Sequence, residues 1–220
     1  MKLTEHLYFY PENGMMDCNH YLIKDEQTLF VDPGSSQYFA ALIEQIKRDG
    51  IKPEDIKLIT NTHLHPDHCW ANNALKRASG AKIISPPVQE NHHKGALSRI
   101  GSMFGIQGLN FEVDSYVKDG KISTGKLTME ILPSPGHARE SVCFYCPEER
   151  FLITGDLIFS ENVGRVDLPG GSAQELKNSI EALGKLDVEY LLPGHMDIVS
   201  GKENIRQNFE FVSRYVFGSL

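Results

Sequence analysis

Short apolar runs separated by turn residues open the chain. HLYFY at 6–10, NHYLIK at 19–24 and TLFVD at 28–32 read as three strands, with PENG and KDEQ as connections. A helical period follows at 35–50, where Phe39, Leu42, Ile43 and Ile46 share one face. Ser35 or Ser36 is the expected cap and Gly50 the expected stop. IKLIT at 56–60 and AKIIS at 81–85 read as buried strands around a helix at 66–80, with Pro66 in its first turn. Residues 86–111 mix a helical pattern with glycines and apolar residues, fitting either a lid or an ordinary covering loop. Strands are then expected near 113–118, 121–123, 126–132, 141–146 and 151–154. A helix at 172–185, a strand at 188–192 and a helix at 202–216 complete the pattern.

Strands followed by helices, twice over, predict two similar halves facing each other, each a sheet with helices outside. With 220 residues and no linker or low-complexity segment, a single domain spanning 1–220 is the expectation.

The polar residues of interest stand where apolar strands end. KLIT runs into Asn61–His68, MEIL into PSPGH at His137, FLIT into GD at Asp156, and YLL into PGH at His195. TLFVD delivers Asp32. Strand ends on one edge of an α/β scaffold are where rigid backbone presents chemistry. The stretch HLHPDH places His63, His65, Asp67 and His68 within six positions. His63 and His65, two apart in an extended loop, suit one cation, and Asp67 and His68, in a first helical turn, suit a second. His137 completes the first set, His195 the second, and Asp156 can bridge both. Imidazole with carboxylate suits zinc, iron or manganese and leaves room for water. His6 and His20 read as surface or hydrogen-bonded residues. Cys143 and Cys146 read as buried strand cysteines, and His92 and His93 as solvent-facing helix residues.

Composition narrows the partners. A formal charge of -7 and the absence of a Lys/Arg run argue against nucleic acid. No window reaches the ~20 apolar residues of a membrane span, and no signal-peptide pattern is visible. Four scattered cysteines do not make a disulfide framework. A cytoplasmic protein acting on a small molecule is expected.

HLHPDH, SPGHARES, TGDLIF and LPGHMD, with FVDPG upstream, resemble the motif series of the metallo-β-lactamase superfamily. The resemblance covers nearly the whole chain. It implies an α/β, four-layer αβ/βα sandwich with a dinuclear centre between the sheets. It implies His63, His65 and His137 as ligands of one metal, Asp67, His68 and His195 as ligands of the other, and Asp156 between them. Asp32 matches a buried aspartate that supports the ligand histidines. Two divalent ions, zinc first and iron or manganese next, are the expected cofactors.

The branch follows from departures. Flavodiiron proteins usually carry glutamate at the place of His65, and true β-lactamases are usually secreted. GDLIFSENVGRVDLPGGS resembles a stretch of small glyoxalase II-like hydrolases and persulfide dioxygenases. Within it, Arg165 either steadies the centre or a substrate carboxylate, or pairs with Asp167. The 25 residues after His195 are too few for the helical glutathione domain of glyoxalase II proper. The expectation is a metallo-hydrolase acting on thioesters, in the manner of a hydroxyacylglutathione hydrolase, through a metal-bridging hydroxide that Asp67 orients. An iron-dependent persulfide dioxygenase is the alternative. A lactonase, a phosphodiesterase and a non-catalytic metal-binding module stand behind it.

Overall fold

The fold was read from a computed structural model that describes residues 1–90, 97, 100–107 and 109–220. His92 and His93, and other parts of the 86–111 segment, lie outside the described residues. The chain forms two compact units, Met1–Leu127 and Thr128–Leu220.

The first unit is built on a sheet in the order β1-β2-β3-β4-β5-β6. β1 (Leu7–Tyr10), β2 (His20–Ile23) and β3 (Thr28–Val31) pair antiparallel, and every residue of the three is buried. That burial explains their near-continuous apolar sequence. α1 (Phe39–Arg48) carries the chain from β3 to β4 (Ile56–Thr60), which pairs parallel to β3. Leu42 and Ile46 of α1 are buried with Tyr10, Phe30, Ile59 and Leu75 in one apolar cluster. Burying each such side chain contributes roughly 1.5–3 kcal/mol. α2 (Pro66–Cys69) and α3 (Asn72–Ser79) lead to β5 (Lys82–Ser85), and β6 (Ser115–Tyr116) pairs parallel to β5. β7 (Lys121–Ser123) closes the unit.

Two local expectations are corrected. The helix read at 66–80 is two helices, because Ala71 leaves helical geometry and its N–H turns to the carbonyl of Gly34 at 2.8 Å. α1 starts at Phe39 rather than at a serine cap: Ser35 Oγ accepts the Gln37 N–H at 3.3 Å in the turn ahead of the helix, and the Ser36 hydroxyl is turned to another partner. Ser35 N–H donates to Asp17 Oδ1 at 3.0 Å and Ser36 Oγ donates to the Trp70 carbonyl at 2.9 Å.

The second unit repeats the logic. β8 (Thr128–Pro133), β9 (Val142–Cys146) and β10 (Phe151–Gly155) form an antiparallel ladder. A hairpin of β11 (Ile158–Phe159) and β12 (Asn162–Val163) and then α4 (Ala173–Leu183) carry the chain to β13 (Tyr190–Pro193), parallel to β10. β14 (Val199–Ser200) and α5 (Lys202–Phe211) follow, and a π-helical turn continues α5 to Val216. Ser172 caps α4, its Oγ accepting the Glu175 N–H at 3.3 Å. Leu176, Ile180 and Leu183 of α4 pack in a cluster with Leu152, Leu191, Ile205 and Val212. Cys143 and Cys146 are buried free thiols of β9, as their strand pattern suggests. Among the described residues, no helix is long and apolar enough to cross a membrane.

Candidate metal centre

In the first unit, β4 ends at Thr60 and the chain passes through extended backbone at His65 into α2, with Pro66 at the first helical position. His63, His65 and His68 are all buried. The His63 ring lies 4.5 Å from that of His65 and 4.1 Å from that of His68, centroid to centroid. Ligand atoms of His63 and His65, of His63 and His68, and of Asp67 and His68 each come within 4.8 Å of one another. The cluster legible in the sequence is therefore a cluster in space.

Asp32 organises it. Its carboxylate accepts the Thr62 N–H at 2.8 Å, the Thr62 hydroxyl at 2.7 Å and His68 Nδ1–H at 3.0 Å. The Thr62 hydroxyl, committed as a donor to Asp32, faces His63 Nδ1 at 3.1 Å and accepts its proton. Both rings are thus held as Nδ1–H tautomers with Nε2 as the lone-pair nitrogen, the arrangement that orients metal-binding histidines. Asn61 Nδ2 reaches Asp32 at 3.4 Å and the His68 carbonyl at 3.1 Å, and exchanges hydrogen bonds with Asn72. Gln89 Nε2 donates to the carbonyls of Asn61 and Thr62 at 3.1 and 3.3 Å. Nothing in the sequence singles out Thr62, Asn61, Asn72 or Gln89. Single polar residues carry no periodic signal, and only THLHPDH adjacency could have pointed to Thr62. Cys69 in the same stretch is fully buried, and burial pushes its thiol well above the usual range.

In the second unit three strand ends meet. β10 delivers Gly155 and Asp156, and the Gly194 N–H after β13 donates to the Gly155 carbonyl at 2.8 Å, fixing His195 beside them. His137 follows β8. Asp156 Oδ2 lies 3.5 Å from His137 Nε2 and 3.4 Å from His195 Nε2. These spacings exceed the ~2.7–2.9 Å of a charge-assisted hydrogen bond. They match the roughly 3.4 Å that separates neighbouring ligand atoms about a tetrahedral cation with bonds of ~2.05 Å. His137 Nδ1–H donates to the Arg165 carbonyl at 2.7 Å, which again makes Nε2 the lone-pair nitrogen.

Gly164 makes that carbonyl contact feasible. A Cβ there would sit 1.8 Å from the Asp156 carbonyl oxygen and 3.1 Å from His137 Nδ1, so only glycine lets the backbone pass so close to both residues. Of the two readings of Arg165, its guanidinium makes the Asp167 pair: Nε and one terminal nitrogen donate to the two carboxylate oxygens at 2.7 and 2.6 Å. The Arg165 guanidinium holds the Asp167 carboxyl down at about 2. The link from Arg165 to His137 runs through the backbone. A groove of about 690 Å³ lined by Ile180, Phe209, Tyr215 and Phe217 contains none of the predicted site residues.

Both sets fit a divalent cation by donor chemistry. Each is made of imidazole and carboxylate, three of the histidines have Nδ1 tied to a protein oxygen, and the Asp156 spacings are those of shared ligation.

The comparisons agree with this chemistry. The model of the metallo-beta-lactamase superfamily matches residues 13–195. The chain is 36% identical over 189 residues to the probable metallo-hydrolase MJ0888 of Methanocaldococcus jannaschii, covering 82% of this chain and 88% of that one. It is 28% identical over 191 residues to a hydroxyacylglutathione hydrolase of Brucella anthropi, covering 86% of this chain and 63% of that one. Among solved structures, the B3 metallo-beta-lactamase BLEG-1 superposes with a TM-score of 0.76 at 25% identity, over 90% of this chain and 95% of that one. TTHA1623, solved in a di-iron-bound form, superposes with a TM-score of 0.73 at 27% identity, over 93% and 97%. On its fold, its motif-bearing strand ends and a family match that runs from residue 13 to His195, the chain belongs to the metallo-beta-lactamase superfamily.

Proposed function

We propose that this metallo-hydrolase cleaves thioesters, in the manner of a hydroxyacylglutathione hydrolase. His63, His65 and His137 would hold one divalent cation, Asp67, His68 and His195 a second, and Asp156 both. Zinc is the metal we assign. The observation that carries the dinuclear reading is Asp156, a single carboxylate oxygen at near-equal distance from His137 Nε2 and His195 Nε2. One oxygen so placed is suited to belong to two ligand sets at once. The hydroxyacylglutathione hydrolase of Brucella anthropi supports the thioester assignment, as does the GDLIFSENVGRVDLPGGS stretch.

When bound, such a pair of cations lowers the pKa of water towards neutrality and polarises a carbonyl. The protein's own residues supply the rest. Asp32 and Thr62 hold the imidazoles of His68 and His63 in one tautomer and one orientation, so that no reorganisation is needed during turnover. The Arg165 carbonyl does the same for His137. Asp67, half-buried in the first turn of α2, would orient the attacking water as well as ligate. A thiolate leaves without much protonation, so the reaction needs no further acid.

The test is a panel of S-D-lactoylglutathione, simpler acyl thioesters, a lactone, a phosphodiester and glutathione persulfide, run on zinc-loaded and iron-loaded protein. Thioester turnover by the zinc form is expected. Oxygen uptake on glutathione persulfide by the iron form, with no thioester turnover, would replace this reading by the dioxygenase.

A further inference from the structure

His20, on β2, is a fully buried histidine outside the ligand motifs. Its Nδ1–H donates to the backbone carbonyl of Asp32 at 2.7 Å, and its Nε2 faces Asp17 Oδ2 at 3.6 Å. Asp17 is buried too. Its Oδ2 accepts the backbone and side-chain N–H groups of Asn13 at 2.9 and 3.1 Å, and its Oδ1 accepts the Ser35 N–H at 3.0 Å. Cys18 Sγ adds a weak contact to the Asp32 carbonyl at 3.8 Å.

These contacts converge on the turn at 32–35. Asp32 has φ of 54°, in the left-handed region that is strained for a non-glycine residue. Gly34 follows with φ of 78°, and a Cβ on it would sit 2.3 Å from His20 Cε1 and 2.4 Å from Asp17 Oδ1. The turn is therefore moulded onto the Asp17–His20 pair on one side. On the other it grips the ligand cluster twice, through the Asp32 carboxylate on His68 Nδ1 and through the Gly34 N–H on the His68 carbonyl at 3.0 Å.

We propose that His20 and Asp17 are positioning residues for the metal centre, holding the backbone of Asp32 so that its carboxylate meets His68 and Thr62. The proposal rests on the metal-centre reading above and reaches beyond the residues that touch a cation or its ligands. A buried aspartate–histidine pair with no more than a packing role has no need to address a backbone carbonyl in a strained turn. Here the Nδ1–H stabilises that carbonyl in the orientation that the left-handed φ of Asp32 demands.

The test is zinc affinity, measured by chelator competition, and metal-free melting temperature, for wild type, His20→Ala, His20→Asn and Asp17→Asn. Asn at position 20 keeps an amide N–H near the place of Nδ1. The expected result is zinc affinity reduced about tenfold or more by His20→Ala, and restored in part by His20→Asn, with metal-free folding retained. Affinities within twofold of wild type in every variant overturn the proposal, whatever happens to the melting temperature. Wild-type protein labelled with ¹⁵N gives a second readout that needs no substitution. Its His20 Nδ1–H resonance is expected to shift on zinc loading, and a resonance that stays in place counts against the link. If wild type itself binds no zinc, the metal-centre reading fails rather than this one.

Discussion

The carboxylate of Asp32 and the imidazole of His68, 36 residues apart in sequence, meet through a 3.0 Å hydrogen bond to Nδ1. That bond leaves His68 Nε2 as the lone-pair nitrogen and ties the HLHPDH stretch to the end of β3. Asp32→Asn replaces one acceptor oxygen by an amide donor. Either the Thr62 side or the His68 side then confronts donor with donor. Metal affinity is expected to fall about 10- to 100-fold. Chelator competition on the purified variant checks this, and an unchanged affinity would remove Asp32 from the account.

Gly164 offers a test in the second unit. An alanine Cβ would lie 1.8 Å from the Asp156 carbonyl oxygen, so backbone must move. Overpacking of this kind typically costs about 1–3 kcal/mol. Gly164→Ala is expected both to melt lower and to retain less metal, because the segment that shifts carries the Arg165 carbonyl bound to His137. Full metal retention would show that this carbonyl does not matter.

Arg165 is expected to separate side chain from backbone. Its guanidinium is bound to Asp167 in an exposed pair, while its carbonyl holds His137. Arg165→Ala should leave the metal content per chain within twofold of wild type. A large loss of metal would mean that the side chain itself steadies the centre.

The Asp17–His20 pair predicts a pH signature in metal-free protein. For His20, burial alone would lower the pKa, but Cys18 Sγ and Asp17 beside it push it up to about 10. Its contribution to stability is therefore complete below the ordinary histidine value of 6.5 and is lost as pH rises towards about 10. For Asp17, burial is outweighed by His20 and by the N–H groups of Ser35 and Asn13, which bring it to about 2. Its share is present above 3.8 and is lost as pH falls towards about 2. The stability gap between wild type and His20→Ala should narrow from pH 6.5 upward in denaturant titrations. A gap that widens with pH would reverse the assignment of charge.

Much of the molecule is legible in its sequence because the signals are short-range. Phe39, Leu42, Ile43 and Ile46 mark α1 by their spacing, and TLFV and FLIT mark buried strands. His63 to His68 stand out because four ligand-type side chains fall in one turn of chain. What escaped depends on distance along the chain. His20 looks like any lone histidine until the β2–β3 pairing brings it to the Asp32 carbonyl. The β11–β12 hairpin has two residues per strand, too few for alternation to register. The helix break at Ala71 answers to Gly34, a partner that only the tertiary fold supplies.

We propose that the two histidine–aspartate sets serve one pair of cations. Native mass spectrometry of zinc-loaded, desalted wild-type protein tests it most directly. A mass increase of about two zinc ions per chain is expected, removed together by chelation along with thioester turnover. A single retained metal, or none, would contradict it.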